Sequence, residues 1–83
     1  MDTTPYPEQM FRWTLKGTMT AHGVTRYALA KETGLAMNTV RAMYEGTPTR
    51  IDFPVIDRVI TGLGKLVGKS ITADDVFIWE ASK

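Results

Sequence analysis

The segment from Thr25 to Gly46, TRYALAKETGLAMNTVRAMYEG, constrains the fold more than any other part of the chain. Its small and apolar residues recur at the spacing of two short helices that pack across a tight turn. Ala30 permits close approach of the two helices, and Gly34 can adopt the positive φ that the corner between them requires. The segment therefore predicts a pair of steeply crossed helices, the second of which keeps one face free.

Caps and apolar contacts complete this pattern. Thr25 has the hydroxyl of a helix N-cap, and Gly46 is placed to end the second helix. An ordinary helical hairpin is the competing interpretation, but its outer face would more often carry Leu and Ile than polar and basic residues. A helix displayed in this way fits the DNA major groove. The residues expected beneath the corner are Leu29, Leu35, Val40 and Met43.

The free face of the second helix carries the residues expected to read bases: Met37, Asn38, Arg41 and Ala42. Asn can form two hydrogen bonds with the N6/N7 edge of adenine, and Arg with O6/N7 of guanine, although Arg41 can also reach a phosphate. Met37 and Ala42 can contact thymine methyl groups. The competing interpretation of Asn38 and Arg41 is a solvated polar face, which accounts less simply for an exposed Met37.

Side chains that flank this helix are expected to contact phosphates: Arg26, Tyr27, Thr39, Thr47, Thr49 and Arg50. Arg26 opens the first helix of the pair, where its charge and the helix N-terminus together favour an anion. Tyr27 can instead pack on the second helix, and Tyr44 is expected in the core, facing Met19. Phosphate contacts fix the register and supply affinity without carrying sequence information.

The charge distribution supports this assignment more than the net charge does. The whole chain carries only +1, but residues 12–50 have six basic and two acidic side chains, or +4. Residues 1–11 carry −2 and residues 51–83 carry −1. A solvated helical protein can show such asymmetry by chance; alternatively, the positive field is concentrated on a nucleic-acid-binding segment.

Length and composition predict one small domain. Residues 1–7, which contain two prolines, are expected to form a flexible arm, with residues 8–83 as the folded domain. The absence of cysteine excludes disulfides and suits a reducing cytosol. The longest apolar run, Val76–Trp79, is too short for a membrane span, and the N-terminal sequence is unlike a signal peptide. We therefore expect a cytoplasmic, nucleoid-associated protein.

Three more helices are predicted around the central pair. The first runs from Glu8 to Ala21, because Phe11, Leu15 and Met19 recur every fourth residue as a core stripe.

The other two helices follow the central pair. One begins after Asp52 as N-cap, has Pro54 in its first turn, and ends near Gly68. The last is short: Thr72-Ala73-Asp74-Asp75 resembles a capping box that opens a helix through Trp79 or Glu80.

Residues 25–46 resemble the helix-turn-helix of the Cro and lambda-repressor-like (XRE) regulators, and the resemblance reaches roughly from Arg12 to Trp79. It implies an all-α, compact five-helix lambda-repressor-like fold, dimeric operator binding and no enzymatic activity. It also implies that positions 37, 38 and 42 are the principal base readers. Two departures are Ala36, where the family often has Ser or Thr, and Thr33 at a usually apolar position. The resemblance rests on Leu29-Ala30, Gly34, Val40, Met43, Glu45-Gly46 and the segment starting at Asp52.

These features predict a transcriptional regulator, a repressor, that binds double-stranded DNA as a homodimer, since specific binding usually needs two reading heads. The dimer interface is expected at Phe77, Ile78 and Trp79. Four consecutive apolar residues of a helix cannot all face one core. Either Val76 and Trp79 turn inward and leave the other two exposed, or the four form a strand that pairs across a two-fold axis.

A different function class remains open. An antitoxin or protein-interaction adaptor would use the apolar patch to bind a protein, with DNA binding secondary. A tight co-purifying protein would favour that alternative, whereas a palindromic site bound by the isolated chain would favour the regulator. An enzyme is not expected, because the one histidine and the scattered acids form no catalytic or metal-binding constellation, and no cofactor is expected either.

Overall fold

The computed structural model describes residues 10–80, so the predicted arm at residues 1–7 lies outside the described part. That part contains four α-helices and a small two-stranded antiparallel sheet. The prediction of an all-α fold with five helices is therefore wrong in its number of helices and in the absence of strands. The elements are β1 (Phe11–Trp13), α1 (Leu15–His22), α2 (Arg26–Thr33), α3 (Met37–Glu45), α4 (Phe53–Val67), a 3₁₀ turn (Ala73–Asp75) and β2 (Phe77–Trp79).

The sheet brings the two ends of the described chain together and corrects the predicted first helix. Phe11 lies opposite Trp79, and Trp13 lies opposite Phe77. Helix α1 therefore begins only at Leu15, and Phe11 is 60% exposed instead of belonging to the core stripe. The repeat of apolar residues at every fourth position was misleading, because the backbone of β1 obtains its hydrogen bonds from β2, more than sixty residues away.

The predicted last helix is also wrong beyond its first turn. The capping box is present, with the backbone N–H of Thr72 donating to Asp75 Oδ2 at 3.0 Å. Only a 3₁₀ turn follows, and the chain then extends into β2. Val76 is fully buried, whereas Trp79 is 54% exposed. Strand β2 pairs with β1 of the same chain. The apolar run Val76–Trp79 is therefore divided between the core, which buries Val76, and the sheet.

The core lies among the four helices and the residue that precedes β2. Most of its members are residues that the helical spacing predicts to be buried. Within the described residues, no helix has both the length and the apolar character needed to cross a membrane. The buried apolar residues are Leu15, Met19, Leu29, Val40, Met43, Ile56, Val59, Leu63 and Val76.

A close approach between α2 and α4 explains why Thr33 occupies a usually apolar position. Its hydroxyl donates to the carbonyl of Leu29 at 2.7 Å and accepts from the N–H of Leu35 at 3.2 Å. These bonds fix the side chain so that its methyl group faces Gly62. A Cβ atom at position 62 would lie 2.6 Å from Thr33 Cγ2. The two helices therefore approach closely only because residue 62 has no side chain.

We predict that Gly62→Ala lowers the free energy of unfolding, because a fixed methyl group blocks the new Cβ. Overpacking of this kind costs about 1–3 kcal/mol, which exceeds the ~1 kcal/mol that alanine gains over glycine within a helix. Thr33→Ser keeps the hydroxyl and removes the obstructing methyl. Gly62→Ala should therefore be less damaging in the Thr33→Ser background. Urea denaturation of the four proteins in this double-mutant cycle measures the coupling, and strictly additive effects would contradict the assigned contact.

Candidate nucleic-acid interface

The corner between α2 and α3 has the predicted geometry. Thr25 caps α2, its hydroxyl oxygen accepting from the backbone N–H three residues later at 3.0 Å. Gly34 ends α2 with φ of 75°, and its N–H donates to the carbonyl of Ala30 at 2.9 Å. Gly46 ends α3 with φ of 77°. The caps and glycines in the sequence therefore correctly predicted both helices of the pair and the reversal between them.

Helix α3 turns its apolar side inward and its polar side outward. Val40 is fully buried and Met43 is 3% exposed, and both belong to the core beneath the corner. The opposite face carries the four residues predicted to read bases. Two of them are exposed, and two are half-buried at the edges of that face. The exposed pair is Asn38 and Arg41, and the half-buried pair is Met37 and Ala42.

Asn38 and Arg41 lie close enough to act together. Arg41 Nη1 donates to Asn38 Oδ1 across 3.4 Å, a long bond between two exposed side chains. The bond engages the amide oxygen of Asn38 and leaves its NH₂ group free. It also leaves most of the guanidinium donors free. The pair therefore presents a row of hydrogen-bond donors, which matches acceptor atoms such as guanine O6 and N7.

On one flank of α3, the predicted phosphate ligand Arg26 lies against Tyr44. The Arg26 guanidinium carbon is 4.9 Å from the centroid of that ring, and Arg26 Nη1 is 3.8 Å from Glu45 Oε2. Lys16 Nζ lies 5.7 Å from the same ring centroid. Tyr44 is partly buried against the core, as expected, but its ring also carries two cations. Lys16 has no local signal in the sequence that marks it as part of this site, because only the tertiary packing brings α1 to the end of α3.

Also on the protein surface is Tyr27, which is 69% exposed at the start of α2. It therefore does not pack on α3, which was the competing interpretation of this residue. Thr39, in the first turn of α3, is half-buried.

The other predicted phosphate ligands lie on the segment 46–51, which follows α3 and carries the exposed residues Thr47, Thr49 and Arg50. Trp13 of β1 holds this segment in place. Its indole Nε1–H donates to the carbonyl of Pro48 at 3.0 Å, and its ring packs beside Gly46. A groove of about 490 Å³ runs between the segment and the sheet. No local signal in the sequence predicts this role of Trp13, because the hydrogen bond joins residues 35 positions apart.

Among residues 10–80 no group of three or more His, Asp or Glu side chains is placed to hold a metal ion. The same residues include no buried charged or polar side chain. The site consists of the exposed polar face of α3 with cationic and hydroxyl side chains beside it.

Comparison with protein families matches residues 14–64, more than half of the chain, to the Cro/C1-type HTH DNA-binding domain. The chain belongs to this family. It is therefore a DNA-binding protein of the helix-turn-helix class of transcription regulators, and the family is not enzymatic. The matched range spans α1 to α3 and most of α4, but neither strand of the sheet. Comparisons with curated proteins and with solved structures gave no match.

We predict that Ala36→Ser stabilises the protein, because α3 has no side-chain cap. Ala36 occupies the N-cap position with φ −63° and ψ 146°, an extended conformation from which a hydroxyl can accept from the first turn. The gain in the free energy of unfolding should be about 0.5–2 kcal/mol. Thr25→Ala, which removes the hydroxyl that already caps α2, serves as the reciprocal control and should cost a similar amount. Thermal or urea denaturation would reveal either change, and an Ala36→Ser protein no more stable than the parent would contradict this account.

Proposed function

We propose that the protein is a repressor that binds specific sites in double-stranded DNA as a homodimer, with α3 in the major groove. The observation that carries this proposal is the outward placement of Asn38 and Arg41 on a helix whose other side is fixed by buried Val40. An α-helix fits the major groove and reads base edges there. A repressor of this kind blocks transcription by occupying its site.

In this arrangement the base readers are Met37, Asn38, Arg41 and Ala42. The donor row of Asn38 and Arg41 contacts acceptors on base edges, while the two half-buried residues contact thymine methyl groups at the edge of the helix. The phosphate ligands lie on both flanks of α3, which fixes its register in the groove. They are Arg26, Tyr27, Thr39, Thr47, Thr49 and Arg50.

The sheet provides the surface through which we propose that two copies associate. Residues directly opposite in an antiparallel pair share a face, so Phe11 and Trp79 lie side by side. They are 60% and 54% exposed, an unusual exposure for two neighbouring aromatic side chains. Phe77 is half-buried and extends this apolar face, whereas Ile78, which pairs with Arg12, is half-buried on the other face of the sheet. The proposed dimer interface is centred on Trp79, with Phe77 on the same face and Ile78 contributing from the other side of the strand.

Selection of bound sequences from random duplex DNA tests the proposed function directly. A dimer of this geometry should enrich an inverted repeat whose half-sites are about one helical turn, or 10–10.5 base pairs, apart. A reporter gene carrying that site at its promoter should then be expressed less when the protein is present. If the isolated chain enriches no sequence and a stably bound protein must be added before it does, an adaptor or antitoxin function would replace this proposal.

We predict that Arg26→Ala and Asn38→Ala weaken DNA binding in different ways. Arg26→Ala should reduce affinity for selected and random duplexes alike and flatten the dependence of log K on log[salt] by about 0.9. Asn38→Ala should mainly reduce affinity for the selected site, by about 1–3 kcal/mol at one base pair. Fluorescence anisotropy with both duplexes at several salt concentrations separates the two effects. Indistinguishable behaviour of the two variants would contradict the division of roles.

We predict that Trp79→Ser converts the dimer to a monomer without unfolding it, because the side chain is largely exposed and contributes little to the core. Phe53→Ser is the matched control, since Phe53 is a similarly exposed aromatic residue, 72% exposed, at the start of α4 and not in the sheet. Sedimentation equilibrium should show a monomer for the first variant and a dimer for the second. A parent protein that remains monomeric at high concentration, with and without DNA, would exclude the proposed interface.

A further inference from the structure

A single aromatic ring brings together side chains from three helices at one end of the helix pair. Tyr44 belongs to α3, and the cations over its ring are Arg26 from α2 and Lys16 from α1, at 4.9 and 5.7 Å from the centroid. Both distances fall within the ~6 Å over which a ring face attracts a cation. Tyr44 is half-buried and anchored in the core, so it is a fixed support for two otherwise flexible side chains.

The acidic side chain that faces this cluster is only weakly bound. Arg26 Nη1 and Glu45 Oε2 are 3.8 Å apart, and the two side chains are 42% and 53% exposed. An ion pair with this separation and exposure contributes little, at most about 1 kcal/mol. Among the described residues Arg26 forms no other ion pair, and Lys16 forms none. The cluster therefore holds two positive charges against one loosely bound carboxylate, an arrangement that favours a stronger anion.

We infer that Lys16 and Arg26, aligned on Tyr44, form a joint site for the DNA backbone phosphates, with Glu45 as the internal anion that the phosphates displace. This inference rests on the proposed DNA binding and adds a ligand, a positioning residue and a competing anion to it. Lys16 is the added phosphate ligand. Tyr44 is the positioning residue, because it holds both cations near the N-terminus of α2, where free backbone N–H groups also favour an anion.

Glu45 sets the affinity of this site in the opposite direction. In the free protein it partly neutralises Arg26, and on DNA it repels the approaching phosphates. It also lies in the last turn of α3, where a negative charge is unfavourable to the helix. Removing this charge should therefore strengthen binding to every duplex without destabilising the fold.

The experiment measures DNA affinity over a range of salt concentrations for charge and ring variants of the full chain. Lys16→Gln should weaken binding to selected and random duplexes equally, by about five- to tenfold near 0.1 M salt, and flatten the log–log salt dependence by about 0.9. Lys65→Gln is the matched control, because Lys65 lies on α4 and lines a different surface, with Glu32 and Asp57. It should leave the salt dependence of DNA binding unchanged. Circular dichroism confirms that each variant is folded.

The ring and the carboxylate have their own variants. Tyr44→Phe keeps the aromatic face and should bind as the parent does, whereas Tyr44→Leu keeps an apolar side chain but should weaken binding to all sequences. Glu45→Gln should strengthen binding up to about fivefold, and this gain should largely disappear when Arg26 is also replaced by Gln.

Three outcomes would overturn the inference while leaving the proposed function intact: a parent-like salt dependence for Lys16→Gln, equal effects of Lys16→Gln and Lys65→Gln, or equal effects of the two Tyr44 variants. A parent protein that binds no duplex even at low salt would overturn both the inference and the proposed function. The two failures are therefore distinguishable from the same set of titrations.

Discussion

The reversal of the chain at Gly34 is the constraint on which the exposed polar face of α3 depends. Its positive φ turns α3 back across α2, in a backbone conformation that glycine adopts without strain. Once α3 lies there, burial of Val40 and Met43 fixes its rotation about its own axis. Asn38 and Arg41 must then face outward. The exposed polar face is thus a consequence of the apolar packing beneath it, and not of any preference of those polar residues.

The central elements could be predicted because their signals are local. The caps, glycines and apolar spacing that define α2 and α3 lie within the segments themselves, and the observed helices match the predicted ones. Helix α4 follows the same logic, beginning after Asp52 with Pro54 in its first turn and ending before Gly68. The presence of Thr33 at a usually apolar position is also partly a local effect, since its hydroxyl donates a hydrogen bond to the backbone of its own helix.

The two ends of the chain could not be predicted in the same way, because each depends on the other. Phe11, Leu15 and Met19 have helical spacing, yet only the last two are in the core. The residues before α1 form a strand because β2 offers hydrogen bonds to them. Nothing near Phe11 in the sequence indicates that partner. The side-chain cluster on Tyr44 was missed for the same reason, because its members come from α1, α2 and α3.

The sheet also connects the two surfaces that the proposed function requires. Trp13 packs edge-on against Phe77 with ring centroids 6.1 Å apart, and its indole N–H holds the carbonyl of Pro48. It therefore links the apolar surface around β2 to the segment that carries Arg50. A subunit that docks on the sheet would bear on Phe77 and, through Trp13, on the position of that segment beside α3. In the proposed dimer, association of two copies would therefore bear on the placement of the segment that carries the proposed phosphate ligands Thr47, Thr49 and Arg50.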